Sequence, residues 1–295
     1  MLKATIIVPT TGDRGPLLPY SVGSILSQSL GELEVFIIGD GVSSTTRAQI
    51  QELQASDARI RFFDHPKHPR RGEVYRHQAL KEAKGEIVAY LCDRDLLLPN
   101  HLEELHQHLQ KYPMAAVNFY RVARDQSISF GKSIPFFGPS DQQPSKLVQG
   151  GEFVLSSVGH RLDFYRQLPY GWRTTPARYF TDRYMWQQML AHRAGKIFSS
   201  TTPTFLYFKR GHYPGWPLEK RLPELRNWSQ RLAATQALTM LEKEATEQLL
   251  QEQLQQRQLL SSPLLINGDQ PATILRRLRG KAATLPKRLL ARLRS

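Results

Sequence analysis

The chain has little cysteine and no long apolar run. Cys92 is its single cysteine, which excludes an internal disulfide and a thiolate zinc cluster and suits a reducing compartment. No run of residues approaches the roughly 20 apolar residues that span a bilayer. The N-terminal run Leu2–Val8 is shorter than the apolar region of a signal peptide and is followed at once by Pro9. We therefore expect a cytoplasmic protein.

Acidic residues are few beside the basic ones, and the excess is concentrated at one end. Forty Lys and Arg against 26 Asp and Glu give a net charge of +14. Residues 271–295 carry eight basic residues and no acid, which leaves +6 for the first 270 residues. A basic groove for nucleic acid through the fold is therefore not indicated, and we expect no nucleic-acid partner.

Leucines are interspersed with the basic residues of 271–295. This pattern is typical of a basic amphipathic helix on an anionic membrane surface, and equally of a disordered, solvated tail. In the first case the protein would be membrane-associated.

The first 120 residues alternate between strand and helix patterns. Short apolar runs predict strands at Ala4–Pro9, Leu33–Ile38, Arg59–Phe63, Glu86–Leu91 and Met114–Tyr120. Helical spacing between them predicts helices at Pro16–Leu30, from Ser43 or Ser44 to Gln54, at Glu73–Ala83 and at Pro99–Lys111. Strands that alternate with helices imply an α/β fold with a mostly parallel central sheet flanked by helices.

The rest of the chain divides by composition. Residues 121–222 interleave Gly, Pro and aromatic residues, which suits loops in a second half of the same domain. A helical segment rich in Gln, Glu, Arg and Leu follows from Pro223 to Leu260. We expect one domain over 1–222, with halves at 1–120 and 121–222, a helical extension at 223–262 and the tail at 263–295.

Three polar loops follow predicted strands, at Thr10–Arg14, Asp40–Ser44 and Cys92–Asp95. Because the carboxyl ends of parallel strands meet at one edge of a sheet, these loops predict one shared pocket. Asp40 lies between two glycines, so its carboxylate could accept hydrogen bonds from a nucleobase and a ribose while the ligand approaches the backbone. The alternative is a turn aspartate that bonds to its own loop.

Asp93 and Asp95 lie two residues apart after the fourth predicted strand. Two such carboxylates can bind Mg²⁺ or Mn²⁺, with substrate phosphates and waters completing the coordination. The alternative is an acid-rich turn that caps the helix after Pro99.

These segments, in their order, resemble family 2 glycosyltransferases with the GT-A fold. The resemblance covers roughly residues 4–110 and rests on five segments: Ala4-Thr-Ile-Ile-Val-Pro-Thr, Ser24-Ile-Leu-Ser-Gln-Ser, Glu34-Val-Phe-Ile-Ile-Gly-Asp-Gly-Val, Arg76-His-Gln-Ala-Leu-Lys-Glu-Ala-Lys-Gly-Glu and Tyr90-Leu-Cys-Asp-Arg-Asp-Leu-Leu-Leu-Pro-Asn-His-Leu. It implies a Rossmann-like GT-A sheet whose first half binds a nucleotide sugar and whose second half faces the acceptor, with a C-terminal helical extension.

The resemblance also implies an activity and a site. The activity is inverting transfer of a sugar from a nucleotide-diphosphate donor to a hydroxyl acceptor, such as a glycan or a lipid-linked sugar, in cell-surface glycan or glycolipid synthesis. The implied nucleotide-binding residues are Pro9, Thr10, Asp40, Asp93 and Arg94, and the implied metal ligands are Asp95 and Asp93. Arg71, before the third helix, could contact the donor phosphates or lie in a solvated basic turn.

Arg94 stands where relatives often have an aspartate that is a usual metal ligand. Three outcomes remain open. In the first, Asp95, with Asp93, still holds Mn²⁺ or Mg²⁺. In the second, Arg94 binds the diphosphate in place of the cation, since guanidinium suits bidentate phosphate binding. In the third, catalysis is lost, which leaves a sugar-nucleotide-binding or scaffold protein.

A later segment, Thr175-Pro-Ala-Arg-Tyr-Phe-Thr-Asp-Arg-Tyr-Met-Trp, resembles the part of the family that carries the catalytic base. The resemblance implies that Asp182 deprotonates the acceptor hydroxyl as it attacks the sugar. The alternative is that Asp182 caps a helix over Arg183–Ala194. The two roles are compatible.

Overall fold

The computed structural model describes residues 2–131, 136–139, 153–192, 196–210 and 215–261. The predictions for the tail at 263–295 lie outside these residues. The chain divides into two compact units, residues 1–246 and residues 247–295. The first unit contains the sheet and the site, and the described part of the second is the end of the last helix.

Within the described residues, ten strands form one sheet. They are β1 (Ala4–Gly12), β2 (Leu33–Val42), β3 (Ile60–His65), β4 (Ile87–Tyr90), β5 (Leu96–Leu97), β6 (Met114–Val122), β7 (Ile128–Phe130), β8 (Phe136–Pro139), β9 (Val158–Arg161) and β10 (Lys196–Tyr207).

The helices flank this sheet or follow it. They are α1 (Leu18–Leu26), α2 (Ser44–Ser56), α3 (Glu73–Leu80), α4 (His101–Leu109), α5 (Leu162–Gln167), α6 (Thr181–Ala191), α7 (Leu218–Leu232) and α8 (Ala237–Ser261). Short 3₁₀ turns lie at Gly15–Leu17 and Leu155–Ser157.

The strand order is β3-β2-β1-β4-β9-β6-β10-β5, with β7 beside β6 and β8 beside β10. The pairs β3–β2, β2–β1 and β1–β4 are parallel, as is β6–β10. Strand β9 runs antiparallel to both β4 and β6, and β5 runs antiparallel to β10. The first half of the sheet is thus a parallel α/β unit, and the second half is mixed.

Both faces of the parallel half are buried. On β1, Ile6 and Val8 pack into one apolar cluster and Ile7 packs into another on the opposite face. Side chains of a strand alternate between faces, so a strand covered on both sides reads as a continuous apolar run. This explains why β1 and β2 are recognisable from their sequence.

The expected α/β fold is confirmed, and each predicted strand and helix of the first 120 residues is present with boundaries shifted by a few residues. The second half is more regular than its composition indicates. Four strands after residue 121, β7 to β10, join the same sheet instead of forming loops. Strand β9 pairs with β4 and β6, and β10 pairs with β6, all at long range in the sequence, and a sequence pattern does not record such pairing. Strand β7 pairs with β6 in a short hairpin, and β8 pairs with β10.

The helical extension begins earlier than predicted. Helix α7 starts at Leu218, and Pro223, which was expected to open it, lies inside. Proline often marks the first turn of a helix, whereas farther along a helix it removes one backbone donor and its ring crowds the carbonyl four residues earlier. The five residues before Pro223 belong to the same helix, and one of them, Arg221, lines the site.

Candidate active site

A cavity of about 490 Å³ opens at the carboxyl ends of β1, β2 and β4. Seven of the predicted site residues line it: Pro9, Thr10, Asp40, Arg71, Asp93, Arg94 and Asp182. The convergence expected from strand order is therefore present in the structure. Asp95 is not among the lining residues.

Asp40 lies near the end of β2 and is 5% exposed. Its Oδ1 accepts a hydrogen bond from the backbone N–H of His68 at 2.6 Å, and its other oxygen pairs with Nζ of Lys67. The partners belong to the loop after β3 and not to the turn of Asp40 itself. Gly72, at φ +63°, lies against this carboxyl group, and a Cβ there would come within 3.2 Å of its Cγ. A neighbouring loop thus holds the Asp40 carboxylate at the cavity wall.

Asp93, in the loop after β4, is 1% exposed and bonds to two residues at the end of β1 and just after it. Thr10 donates its hydroxyl to Oδ2 at 3.0 Å, and Nη1 of Arg14 donates to Oδ1 at 3.0 Å and to Oδ2 at 3.2 Å. Both oxygens of Asp93 therefore already have partners from the loop that follows β1.

Asp95 is fully buried and turned into the protein. The hydroxyl of Ser156 donates to its Oδ2 at 2.7 Å, and the backbone N–H of Phe208 donates to its Oδ1 at 3.1 Å. Burial raises the pKa of Asp95 above its usual range despite the nearby charge of Arg94. Its role here is to connect the loop after β4 to the end of β10.

The divalent cation that the resemblance implies would have to be held by Asp93 and Asp95. A hard cation needs exposed oxygen ligands with free lone pairs, whereas Asp95 is enclosed and Asp93 is engaged by Arg14. The residue between them, Arg94, is itself cationic. Across the described ranges, no group of three or more His, Cys, Asp and Glu side chains could hold a metal ion. The donor set does not fit a divalent cation.

The cavity wall is strongly basic. Six arginines line it: Arg14, Arg70, Arg71, Arg76, Arg94 and Arg221. Lys67 and Lys209 add two more positive charges. Against them stand three carboxylates, those of Asp40, Asp93 and Asp182. An excess of five positive charges in one concave site focuses the field and attracts a multiply charged anion.

Cys92 also lines the cavity, but it is not a nucleophile. Burial raises the pKa of Cys92 to about 12, so the thiol stays protonated at neutral pH.

Asp182 lies on the wall formed by the start of α6. The helix begins at Thr181, so Asp182 lies in its first turn and does not cap a helix from Arg183 onward. Its Oδ1 accepts the backbone N–H of Arg183 at 2.9 Å. None of the described ion pairs involves Asp182.

Several lining residues were not predicted, notably Arg14, Arg76, Lys209 and Arg221. Arg76 is 5% exposed and lies over the ring of Trp172, with its Cζ 4.7 Å from the ring centroid. Its Nη2 donates to the carbonyl of Arg71 at 2.9 Å, while its Nε is buried without a partner. Arg14 ends the polar loop Thr10–Arg14 that was expected at the pocket, although it was not named as a site residue. The sequence offered no local signal for Arg76, Lys209 and Arg221, because each reaches the cavity through tertiary packing.

The chain was compared with known proteins. The family model described as glycosyl transferase family 2 matches residues 5–192. The chain belongs to glycosyltransferase family 2. The resemblance stated from the sequence is thereby confirmed, and the match extends beyond residue 110 to include Asp182.

Two curated relatives are similar to the first part of this family 2 chain. One, from Campylobacter jejuni, is a GalNAc(5)-diNAcBac-PP-undecaprenol beta-1,3-glucosyltransferase, 35% identical over 107 residues, or 36% of this chain and 34% of the relative. The other, from Escherichia coli, is the UDP-Glc:alpha-D-GlcNAc-diphosphoundecaprenol beta-1,3-glucosyltransferase WfgD, 31% identical over 83 residues, or 28% of this chain and 32% of the relative. The chain thus matches about a third of the length of each.

Solved structures of TarS from S. aureus are similar to this family 2 chain. TarS 1-349 in complex with UDP-GlcNAc gives a TM-score of 0.57 at 15% identity, covering 84% of this chain and 72% of TarS. TarS 1-349 without that ligand gives 0.55 at 16% identity, covering 79% and 66%. At these identities the likeness establishes the fold alone.

Among the described helices, none is long and apolar enough to cross a membrane.

Proposed function

We propose that the chain transfers a sugar from a nucleoside-diphosphate donor to a hydroxyl group of a lipid-linked acceptor. The observation that carries the proposal is the basic cavity at the strand ends, with Asp182 on its wall. The one hydrogen bond described for the Asp182 carboxylate comes from the backbone N–H of Arg183. Family membership and the UDP-GlcNAc complex of TarS support a nucleotide-sugar donor.

In this proposal the two ends of the donor have different contacts. Asp40, held by Lys67 and His68, accepts hydrogen bonds from the nucleoside, and Pro9 and Thr10 line the same part of the cavity. The diphosphate lies among the basic side chains, which include Arg71 and Arg94. Guanidinium groups suit phosphate oxygens because they donate two parallel hydrogen bonds.

Asp182 is the proposed base. It takes the proton of the acceptor hydroxyl while that oxygen bonds to the anomeric carbon, and the electron pair of the breaking carbon–oxygen bond goes to the β-phosphate. Attack from the side opposite the leaving diphosphate inverts the anomeric configuration.

The acceptor is proposed from the relatives and from the rim of the cavity. Both curated relatives are named as acting on sugars linked to undecaprenol through a diphosphate. Phe180 lines the cavity beside Asp182, and Phe180 and the preceding Tyr179 are each 52% exposed. Exposed aromatic rings at a binding site suit a sugar ring or a lipid chain.

Asp182→Asn tests the proposal. The amide cannot take a proton, so transfer from UDP-glucose or UDP-GlcNAc to a synthetic undecaprenyl-diphosphate sugar should fall by about 10²–10⁴-fold. UDP affinity, measured by calorimetry, should stay within about twofold, because the base acts on the acceptor. Product anomers are identified by NMR, and retention of configuration would reject inversion.

Asp163→Asn is the matched control. Asp163 is also the second residue of a helix, and its Oδ1 also accepts the N–H of the next residue, at 2.7 Å, but it does not line the cavity. It should leave transfer unchanged. An Asp182→Asn variant that transfers sugar at the parent rate would remove Asp182 from the mechanism.

Arg94 favours one other function, a protein that binds sugar nucleotides without transferring the sugar. It predicts that UDP binds to the parent protein while no sugar reaches any acceptor tested and no donor is hydrolysed. The transfer assay and the calorimetry together separate this function from the enzymatic one.

A further inference from the structure

Arg221 reaches the cavity from α7, beyond the part of the chain that matches the family model. It is 6% exposed, and its Nε donates to the carbonyl of Trp216 at 2.9 Å. One turn further along α7, Glu224 pairs with Arg210. The helix is therefore anchored on both sides of the point at which Arg221 enters the wall of the cavity.

Arg221 lines the same cavity as Arg14 and Arg94. Arg14 pairs with Asp93, whereas Arg94 and Arg221 form no ion pair with a carboxylate of any described residue. Burial, followed by repulsion from Arg94 and Arg14, lowers the pKa of Arg221 to about 10. The three guanidinium groups therefore act on one another across a shared space.

Arg221 is buried and Arg94 is half-buried, and neither has a carboxylate of a described residue at ion-pair distance. Asp93 and Asp95 therefore offset the desolvation of these two guanidinium groups only at longer range, which costs stability. The concentration of such groups in one cavity indicates that an anionic ligand completes the site. The geometry does not support a metal cation held by carboxylates, because Asp95 is enclosed and Asp93 is already bonded to Arg14.

We propose that Arg14, Arg94 and Arg221 bind the donor diphosphate in place of a divalent cation. This inference rests on the proposed function and assigns the part of it that stabilises the leaving group. As the bond between the anomeric carbon and the β-phosphate oxygen breaks, its electron pair adds negative charge to that phosphate. Fixed guanidinium groups offset this charge as a metal ion would. Transfer therefore proceeds in the presence of a chelator.

The test compares nucleotides that differ by one phosphate. The probes are UDP and UMP, titrated by calorimetry into the full chain in EDTA and then in Mn²⁺. We expect UDP to bind in EDTA, with Mn²⁺ changing its Kd by less than about twofold. Arg221→Gln should weaken UDP binding by about 10- to 100-fold, as expected for the loss of a charged hydrogen bond. The same variant should weaken the binding of UMP, which lacks the β-phosphate, by less than about threefold.

Lys220→Gln is the matched control, because it removes the same charge from the neighbouring residue of the same helix. Lys220 is exposed and does not line the cavity. It should leave UDP affinity unchanged within about twofold. Arg94→Gln is a second variant that leaves no described hydrogen-bond partner unsatisfied, so it should fold and should also weaken UDP more than UMP. Thermal melting of each variant checks its folding.

Three results would overturn the inference. Binding of UDP that requires Mn²⁺ would leave the proposed function standing and reject the arginine cluster alone. Equal weakening of UDP and UMP in Arg221→Gln and Arg94→Gln would show a structural effect and not a contact with the β-phosphate. If neither UDP, ADP, GDP nor CDP binds under either condition, the proposed function itself fails.

Discussion

Arg210 and Glu224 form an ion pair whose side chains are 1% and 6% exposed. Nε of Arg210 donates to Oε1 and Oε2 of Glu224 at 3.0 and 3.1 Å. Nη1 and Nη2 also donate to the carbonyls of Val122 and Ala123, at 2.7 and 3.1 Å. Arg210 thus joins α7 to the end of β6. Glu224→Gln keeps the shape of the side chain and removes its charge, which leaves the buried guanidinium without a counter-ion.

Removal of one member of a buried ion pair costs about 3–5 kcal/mol. We expect Glu224→Gln to lower the free energy of unfolding by about 3 kcal/mol, at the lower end, because the amide oxygen still accepts one hydrogen bond from Arg210. That is a large fraction of the roughly 5–15 kcal/mol that keeps a domain folded. UDP affinity should fall as well, since Arg221 lies one turn before Glu224 on α7.

Urea denaturation followed by tryptophan fluorescence measures the effect. The double variant Arg210→Met/Glu224→Leu should cost less than the sum of its single changes, because no lone charge remains buried. Glu219→Gln, exposed on the same helix, should cost less than about 1 kcal/mol. A Glu224→Gln protein within about 1 kcal/mol of the parent, or strict additivity in the double variant, would refute the reasoning.

Two further predictions concern acid stability and the tail. His101 and His160 are fully buried, and burial lowers their pKa to about 3 and about 4, respectively. As the pH falls, the unfolded chain therefore binds protons at these histidines before the folded protein does. The free energy of unfolding should decrease below about pH 6.5, by about 1.4 kcal/mol per pH unit for each histidine. Urea midpoints at pH 7, 6 and 5 measure this, and equal midpoints would contradict it. Deletion of residues 271–295, which removes eight basic residues, should abolish sedimentation with anionic but not neutral vesicles if the tail is an amphipathic helix; binding that survives the deletion would place the membrane contact elsewhere.

Local sequence patterns were sufficient to predict the parallel half of the sheet. Strands β1 and β2 are covered on both faces, so their residues form continuous apolar runs. Polar residues follow each run because the chain leaves the core there. The meeting of Asp40, Asp93 and Arg94 at one cavity was therefore predictable from strand order alone.

The predicted metal site is a feature that sequence spacing alone did not decide. The spacing of Asp93 and Asp95 suits a cation, but spacing does not show which way a carboxylate turns. Asp95 points inward because Ser156 and Phe208 satisfy it, and both residues are distant in sequence. Its role as a ligand stays a prediction that this geometry does not favour.

By itself, the sequence determined the family, the parallel strands, the helix order and most of the polar residues at the strand ends. These features depend on short-range periodicity and on the rule that parallel strands end together. The tertiary structure decided the electrostatic character of the site. It turned Asp95 into the core, set Arg14 on Asp93, and brought Arg221 from a helix that follows the sheet. Charges act on one another over several ångströms. The sign of the electric field in a cavity therefore depends on how distant segments of the chain pack together, which no single segment determines.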